Sequence, residues 1–347
     1  MANFDDMKLA VQALTGGKNT VLLDDLGMPS IMVAWPKLKL SELFTGGSDT
    51  VHPGSIVNNV EKTMYVGKYQ SIVVNSRAYS LPGQDPKANI TFDTALTNCR
   101  NKGSGWGLVP YSLWAQIALW CRKNGTMPRG NNNYGKDHSY THEKGIGTTF
   151  DGAITLHTAT GSGPATWNHN WLPDGIADLN GNVSEWCAGL RTVDGKIQVI
   201  PYANCMDPEV SLAAASTAWK EISAAGAYVD PGTEGTLKYD WLNSKITLIS
   251  GSVTYTTDES KNTGFTSLGL EEDLTVPELA KALALYPTEL GGDYGGDLRY
   301  INFTGERLPY CGGSCNSPGT AGVFCVNLSY PRSISGGLGF RSAFCAL

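Results

Sequence analysis

Apolar positions along this chain change their spacing from about two residues to about three and a half, and this separates predicted strands from predicted helices. Residues 20–23 and 30–35 are short runs rich in apolar and β-branched side chains. Residues 24–29 between them hold Asp, Gly and Pro, which favour turns. The pattern predicts a β-hairpin near the start of the chain.

Two later stretches carry apolar side chains at helical spacing. Residues 92–99 are apolar at 95, 96 and 99, and the pattern stops at Gly103, so a short helix is predicted. A longer helix is predicted just before Gly125, a residue suited to a left-handed C-terminal cap. Its aromatic side chains are interpreted as core, because Trp buries a large area. The positions at helical spacing are Leu113, Trp114, Ile117, Trp120 and Cys121.

We divide the chain into an N-terminal section, residues 1–60, and a main domain, residues 61–347. The first section could be an attachment module that docks the protein onto a larger assembly, or it could add a strand pair to the main domain. Residues 206–288 are interpreted as an insertion. Residues 127–165 form a long loop region without a hydrophobic period, and long loops in compact domains are often functional.

The insertion contains three local patterns. Residues 211–225 are rich in alanine and predict a helix. Residues 245–249 and 253–256 predict a hairpin around Ser250–Gly251–Ser252. Thr275 and Glu278 have the spacing of a capping box and predict one more helix.

Composition and charge limit the classes of function. Of 347 residues 41% are hydrophobic and 17% are charged, which is typical of a globular chain with ample core. The net charge of −6 does not favour binding to nucleic acid or to an anionic membrane. The first residues show no secretory signal peptide, and no apolar run is long enough to span a bilayer. We therefore expect a soluble protein with no nucleic-acid partner and no membrane insertion.

The eight cysteines are expected to be reduced thiols, because the chain is long and shows no secretory signal. Cys311 and Cys315 are close in sequence, but no second Cys or His pair lies nearby, so the pattern indicates zinc only weakly.

A turn centred on Gly181 collects oxygen donors. Asp178, Asn180, Asn182 and Glu185 surround this glycine, and hard oxygen ligands on a turn can hold Ca²⁺. The spacing is not that of an EF-hand. The alternative is that the same side chains stabilise the turn through local hydrogen bonds.

The last segment, residues 307–347, alternates two kinds of position. One kind reads as structural and includes 312–314, 321–324, 332–333 and 339–341. From Cys311 to Leu347 there is no Lys, Glu, Asp, Gln, His, Met or Trp, which argues against acid–base catalysis here. The segment suits a rigid frame that carries an exchangeable contact surface. Its small, polar or unusual positions are Cys315, Asn316, Ser317, Thr320, Cys325, Ser329, Tyr330, Ile334, Gly336 and Gly337.

Four ordered motifs resemble the formylglycine-generating-enzyme-like branch of the C-type lectin fold. They are GNVSEW at 181–186, GGS at 312–314, RS at 332–333 and GFR at 339–341. The segment AGVF at 321–324, followed by Asn327–Leu328, is closer still to the variable proteins of diversity-generating retroelements. In that family, mutagenesis of template adenines replaces AAY-type codons, which never become Lys, Glu, Gln, Met or Trp. The amino acids at the ten positions named above are all among those that such codons can encode.

The resemblance implies an α+β, C-type lectin-like fold with short twisted strands, two core helices and long loops. It implies that the ten variable side chains lie on one exposed face, while Arg332, Phe340 and Arg341 point inward or pair within the frame. It also implies a structural calcium site. The ligands would be the carboxylates of Asp178 and Glu185 and the backbone carbonyls of Gly181 and Val183. No other cofactor is expected.

The function that the resemblance implies is receptor binding by a phage tail or fibre adhesin, displayed on a virion or a bacterial surface. The partner would be a host surface protein or glycan, and a homo-oligomer would suit a fibre. One alternative is a formylglycine-generating oxidase. That family places its two copper-binding cysteines where this chain has Ser317 and Gly322, so Cys315 and Cys325 are off register. Another alternative is a purely structural virion protein.

Overall fold

Helices and short strands alternate through residues 4–347, the part of the chain that the computed structural model describes. Within these residues the α-helices are α1 (Asp5–Thr15), α2 (Leu40–Leu43), α3 (Phe92–Arg100), α4 (Tyr111–Asn124) and α5 (Glu278–Ala282). Single 3₁₀ turns occur at Pro53–Ser55, Ala165–Trp167, Asn204–Met206 and Phe265–Ser267. The fold is of the mixed α+β type, as the sequence predicted.

The strands are short. In the first part of the chain they are β1 (Asn19–Leu23), β2 (Pro29–Trp35), β3 (Ile56–Val57), β4 (Val60–Glu61), β5 (Met64–Gly67), β6 (Ile72–Val74), β7 (Arg77–Tyr79), β8 (Trp106–Leu108), β9 (Gly147–Asp151), β10 (Ile154–Thr158), β11 (Ser184–Trp186), β12 (Leu190–Val193) and β13 (Lys196–Val199). The remainder are β14 (Lys220–Ile222), β15 (Tyr228–Val229), β16 (Lys238–Leu242), β17 (Lys245–Ile249), β18 (Ser260–Gly264), β19 (Gly269–Leu270), β20 (Leu298–Asn302), β21 (Glu306–Arg307), β22 (Tyr310–Cys311), β23 (Val326–Leu328), β24 (Leu338–Phe340) and β25 (Ser342–Phe344).

A five-stranded sheet joins the start of the described chain to its end. Its order is β1-β2-β5-β25-β8, so the last strand pairs with both β5 and β8. The predicted N-terminal hairpin is confirmed as β1 and β2, and β2 pairs with β5 in antiparallel register. Residues 19–35 therefore add two strands to the sheet of the main domain. Attachment through residues 1–60 stays a prediction.

A six-stranded sheet carries most of the C-terminal segment. Its order is β18-β20-β23-β22-β11-β24. Strand β11 lies parallel to β24 and antiparallel to β22. Three of the sequence motifs, at 181–186, 312–314 and 339–341, are thus brought side by side although they are far apart in the chain.

Helix α4 lies in the core between these sheets. Both α3 and α4 were predicted, and Gly125 takes the left-handed cap conformation (φ 66°) expected of it. The side chain of Trp114 is buried, and its indole nitrogen donates to the carbonyl of Val323 at 2.8 Å. Helix α4 is therefore connected to the C-terminal segment by a direct hydrogen bond.

Five strands of the insertion, β14 to β17 and β19, join β12, β13 and β21 in an eight-stranded sheet, while β18 pairs with β20 in the six-stranded sheet. The helix predicted for 211–225 is wrong. Residues 211–218 form turns in which the hydroxyls of Ser211 and Ser216 accept from the backbone two residues on. Such local bonds compete with helix formation. The chain then enters strand β14, which buries Ile222 between β13 and β15.

The predicted pairing of 245–249 with 253–256 is also wrong. Strand β17 pairs instead with β16 across Asn243–Ser244, both with positive φ, as a two-residue hairpin turn requires. Residues 253–256 are held by Asp240, whose carboxylate accepts from the backbone of Thr254 and Tyr255, at 2.9 Å each. A buried carboxylate thus takes the bonds that a strand partner would have made.

The last predicted helix of the insertion is present as α5, but the capping box is not. The helix begins after Pro277, and no side chain caps it. The carboxylate of Glu278 accepts instead from the backbone and hydroxyl of Ser48, at 2.6 and 2.9 Å. The insertion is therefore tied to the N-terminal section.

No helix in residues 4–347 combines the length and apolarity that crossing a bilayer requires.

Candidate functional site

A cavity of about 450 Å³ opens where the C-terminal segment meets β11 and the end of β10. Its walls come from parts of the chain that are distant in sequence: the loop after β22, strands β23 and β24, and the hairpin β9–β10. Seven of the ten positions predicted to be variable line it. These are Cys315, Asn316, Ser317, Cys325, Tyr330, Gly336 and Gly337.

The loop from 312 to 325 is closed on itself by backbone bonds. The amide of Gly312 donates to the carbonyl of Cys325 at 3.0 Å, and the amide of Gly322 donates to the carbonyl of Gly312 at 3.2 Å. A Cβ atom at Gly313 would collide with Ala321. Glycine is therefore required there by close approach as well as by its φ of 71°.

A buried carboxylate fixes the same loop from the other side. Asp297 is almost fully buried, and its Oδ2 accepts from the backbone amide of Phe324 at 2.7 Å. Burial raises the pKa of Asp297 to about 7, although the bonds from Phe324 and Cys325 oppose this. The loop conformation is thus set mainly by main-chain contacts and by one internal side chain. The cavity-facing Ser317 adds one bond, because its Oγ accepts from the amide of Ser314 at 3.3 Å.

One wall of the cavity is aromatic. The rings of Tyr310 and Tyr330 are stacked with centroids 5.3 Å apart and planes inclined by 26°. Tyr330 is 40% exposed, whereas Tyr310 is buried beneath it. Burial raises the pKa of Tyr310. The pair offers a flat, neutral face to a ligand.

Among the described residues, no Asp, Glu, Lys or Arg side chain lines this cavity. His157 lies at its edge, and its Nδ1 is 3.3 Å from Asp85 Oδ1. Burial raises the pKa of both thiols, Cys315 and Cys325, so they are held as neutral SH groups. The walls can therefore stack and form hydrogen bonds, but they offer little for acid–base chemistry.

Three of the predicted variable positions do not line the cavity: Thr320, Ser329 and Ile334. The Oγ1 of Thr320 donates to the carbonyl of Ser317 at 3.3 Å, and the hydroxyl of Ser329 bonds to that of Ser260. Ile334 is exposed outside the opening. The expectation that all ten side chains lie on one exposed face is wrong for Cys315, Cys325 and Ser329, which are buried.

The positions predicted to form the frame do point inward or pair. Phe340 and Arg341 are fully buried. Arg332 Nε donates to Glu306 at 2.8 Å, and its Nη1 donates to Asp93 at 2.7 Å. The frame around the cavity is therefore held by buried packing and by ion pairs within the domain.

The turn predicted to bind calcium is occupied by a guanidinium. Both oxygens of Glu185 accept from Arg341, with Nε–Oε2 at 3.0 Å and Nη2–Oε1 at 2.8 Å. The carbonyl of Val183 accepts from Gln70 at 2.9 Å. Asp178 Oδ2 accepts from the backbone amide of Gly161 at 2.7 Å, and burial raises the pKa of Asp178 to about 6.

This donor set does not fit a calcium ion. Arg341 already supplies the positive charge that Glu185 needs, and one oxygen of Asp178 is engaged by the amide of Gly161. Gly181 contributes a backbone amide that donates to Gly312, at 2.9 Å. A calcium site at Asp178, Gly181, Val183 and Glu185 thus remains a prediction that this geometry does not favour.

Sequence reasoning missed several walls of the cavity, among them Leu156, His157, Tyr300, Tyr310 and Asn327. Leu156 and His157 lie in strand β10 of a hairpin, so the interpretation of residues 127–165 as a long loop without strands is wrong for 147–158. The lack of a hydrophobic period in that region was the available signal. Tyr300 and Tyr310 gave no signal, because a tyrosine in a short strand is ordinarily part of the core.

Comparisons with known proteins add no family to this picture: no family model matches the chain, and no curated protein matches it.

Proposed function

We propose that this chain is a ligand-binding protein whose C-terminal surface is diversified. It would belong to the variable proteins of diversity-generating retroelements and have a C-type lectin-like fold. The observation that carries the proposal is the position of the predicted variable residues. Seven of the ten line one cavity, while the frame positions Phe340 and Arg341, which follow them in sequence, are buried.

The mechanism is contact complementarity on a backbone that is held mainly by residues other than the contact residues. Asp297, Gly312 and the main-chain bonds of the loop hold the cavity in shape. The side chains of Asn316 and Ser317 bond to Ser314 in the same loop, at 2.7 and 3.3 Å. Replacing them removes these local bonds and leaves the bonds made by Asp297 and Gly312 in place. Tyr330 is the expected energetic anchor, because exposed aromatic residues often contribute about 2 kcal/mol or more to an interface.

The setting that we propose is the tip of a phage tail or fibre, or a bacterial surface, where the protein recognises a host surface molecule. Binding through several copies would offset a weak single site. The section 1–60 would be the attachment side. It is compatible with this role that β1 and β2 of that section form one end of the sheet whose other end is β25 and β8.

A copper-dependent oxidase is the second candidate, because Cys315 and Cys325 both line the cavity. Two thiolates would be needed to hold soft Cu(I). Burial raises the pKa of both thiols, and no His, Cys, Asp or Glu group of three in the described residues is arranged as a metal site. The binding proposal therefore has the stronger support.

The DNA around the gene tests the proposal. We expect a second, imperfect copy of the sequence that encodes 311–347, in which the differences fall on adenines at the ten variable positions. A reverse transcriptase gene should lie nearby. A locus without such a repeat would favour a purely structural virion protein.

A further inference from the structure

A second cavity, of about 360 Å³, lies beside the variable one. Its polar walls are Asp85, Lys87, Asn89, Thr149 and His157. None of these residues belongs to the C-terminal segment. His157 lines both cavities, so they meet at this side chain.

The boundary between the two cavities is held by specific contacts. The amide of Gly337, which lines the variable cavity, donates to Asn89 Oδ1 in the second cavity at 2.8 Å. Strands β9 and β10 pair His157 with Thr149. Asp85 accepts from Thr148, Thr149 and His157, so the hairpin is fixed against residues 85–89. The two cavities therefore form one cleft of fixed geometry.

The chemistry of the variable cavity suits a neutral ligand rich in hydroxyl groups. Its aromatic wall can stack on an apolar ring face, and the cavity holds no charged acid or base to balance a charged ligand. The hydroxyl of Tyr330 and the amide nitrogen of Asn327 have no hydrogen-bond partner among residues 4–347. A purely apolar ligand would leave both groups unsatisfied.

The second cavity offers both hydrogen-bond donors and hydrogen-bond acceptors to a ligand. Lys87 is exposed and can donate, Asp85 has a half-exposed carboxylate that can accept, and the amide nitrogen of Asn89 is unbonded within the described chain. These groups match the mixed donors and acceptors of a sugar ring.

We infer that the cleft binds a neutral oligosaccharide: one ring stacks on Tyr330 in the variable cavity, and the next ring lies past His157 in the second cavity. This rests on the proposed function and adds to it a constant subsite. The constant subsite selects the class of ligand, and the variable cavity selects which terminal sugar is bound.

The test uses the full chain on an array of neutral, acidic and amino oligosaccharides, together with neutral peptides. The best neutral trisaccharide and its terminal monosaccharide are then titrated by calorimetry. Tyr330→Ala should weaken both by roughly tenfold or more. Lys87→Ala should weaken the trisaccharide several-fold and leave the monosaccharide unchanged. Matched controls are Tyr134→Ala, a tyrosine 44% exposed outside both cavities, and Lys123→Ala on helix α4.

Selective capture of charged sugars or of peptides would overturn the assignment of a neutral saccharide as the ligand. A complete absence of bound sugar would overturn it as well. Equal loss of monosaccharide and trisaccharide binding in Lys87→Ala, or no loss of either, would overturn the second subsite. The proposed function fails separately, if diversified variants of the C-terminal segment keep one unchanged target preference.

Discussion

Arg341 and Glu185, which are 156 residues apart in sequence, form a fully buried ion pair with two hydrogen bonds, at 2.8 and 3.0 Å. Arg341 also donates to the carbonyls of Gly67 and Ala177, at 2.8 Å each. One guanidinium therefore ties together β5, the turn before β11 and the end of the chain. This contact holds together the parts of the structure that surround the variable cavity.

Replacing Arg341 with Met should be strongly destabilising, because it leaves the buried carboxylate of Glu185 without a partner. Loss of one member of a buried pair typically costs about 3–5 kcal/mol. The matched control is Lys220→Met, because its partner Asp230 is 82% exposed and such pairs contribute about 1 kcal/mol or less. Chemical denaturation followed by fluorescence measures both.

The double variant Glu185→Gln with Arg341→Met should be more stable than the sum of the two single losses predicts, since it no longer leaves a buried charge. Strict additivity would show that the two residues do not interact in solution. A loss for Arg341→Met as small as that for Lys220→Met would contradict the central position of the pair.

Calcium should have little effect on this protein, because Arg341 takes the place of a cation beside Glu185. We expect the same melting temperature in excess Ca²⁺ and in EGTA, measured by differential scanning calorimetry. A melting temperature that rises with Ca²⁺, and that no longer rises in Glu185→Gln, would instead establish the calcium site implied by the resemblance.

Stability should depend on pH through Asp297. Its pKa is raised by burial from 3.8 to about 7, so the folded state keeps a proton that the unfolded state loses. Stability relative to Asp297→Asn should therefore fall as pH rises from 3.8 to about 7, by up to about 1.4 kcal/mol for each pH unit, and then level off. Taking the difference cancels the contributions of other groups. Denaturation curves in which the difference stays flat or rises would show that the carboxyl is not buried as described.

Reducing agents should leave thermal stability unchanged. All eight cysteines are buried free thiols, and the core of a chain this long does not need disulfides. Eight thiols should react with a thiol reagent after denaturation without reductant. A clear drop in melting temperature on adding reductant, or fewer than eight reactive thiols, would reveal a disulfide.

The elements that the sequence predicted correctly are those set by local signals. Helices α3 and α4 have an apolar stripe and their own caps, at Thr91 and Gly125. The first hairpin has a turn rich in Asp, Gly and Pro between two apolar runs. Residues 211–225 misled the prediction, because alanine content suggests a helix whereas Ser211 and Ser216 bond locally to the backbone.

The site was predictable only in part, for a similar reason. Tyr330 and Asn316 could be predicted as surface positions, because the ordered motifs that frame them are visible in the sequence itself. The motifs could not show that a histidine from a distant hairpin, His157, closes the same cavity, because that contact depends on tertiary packing. Nor could they show that Arg341 would neutralise Glu185, since the two are paired only in the folded chain.

The most direct test of the proposed function is to randomise the positions that face the cavity and to measure both folding and target choice. Codons for Asn316, Ser317, Tyr330 and Gly336 would be diversified and the library displayed, while Gly337 is kept because its φ of 70° favours glycine. Folded variants would be sorted on a panel of unrelated protein and glycan ligands. We expect most variants to melt near the parent temperature and different variants to prefer different ligands. Widespread unfolding, or one ligand preference shared by all folded variants, would contradict the proposal.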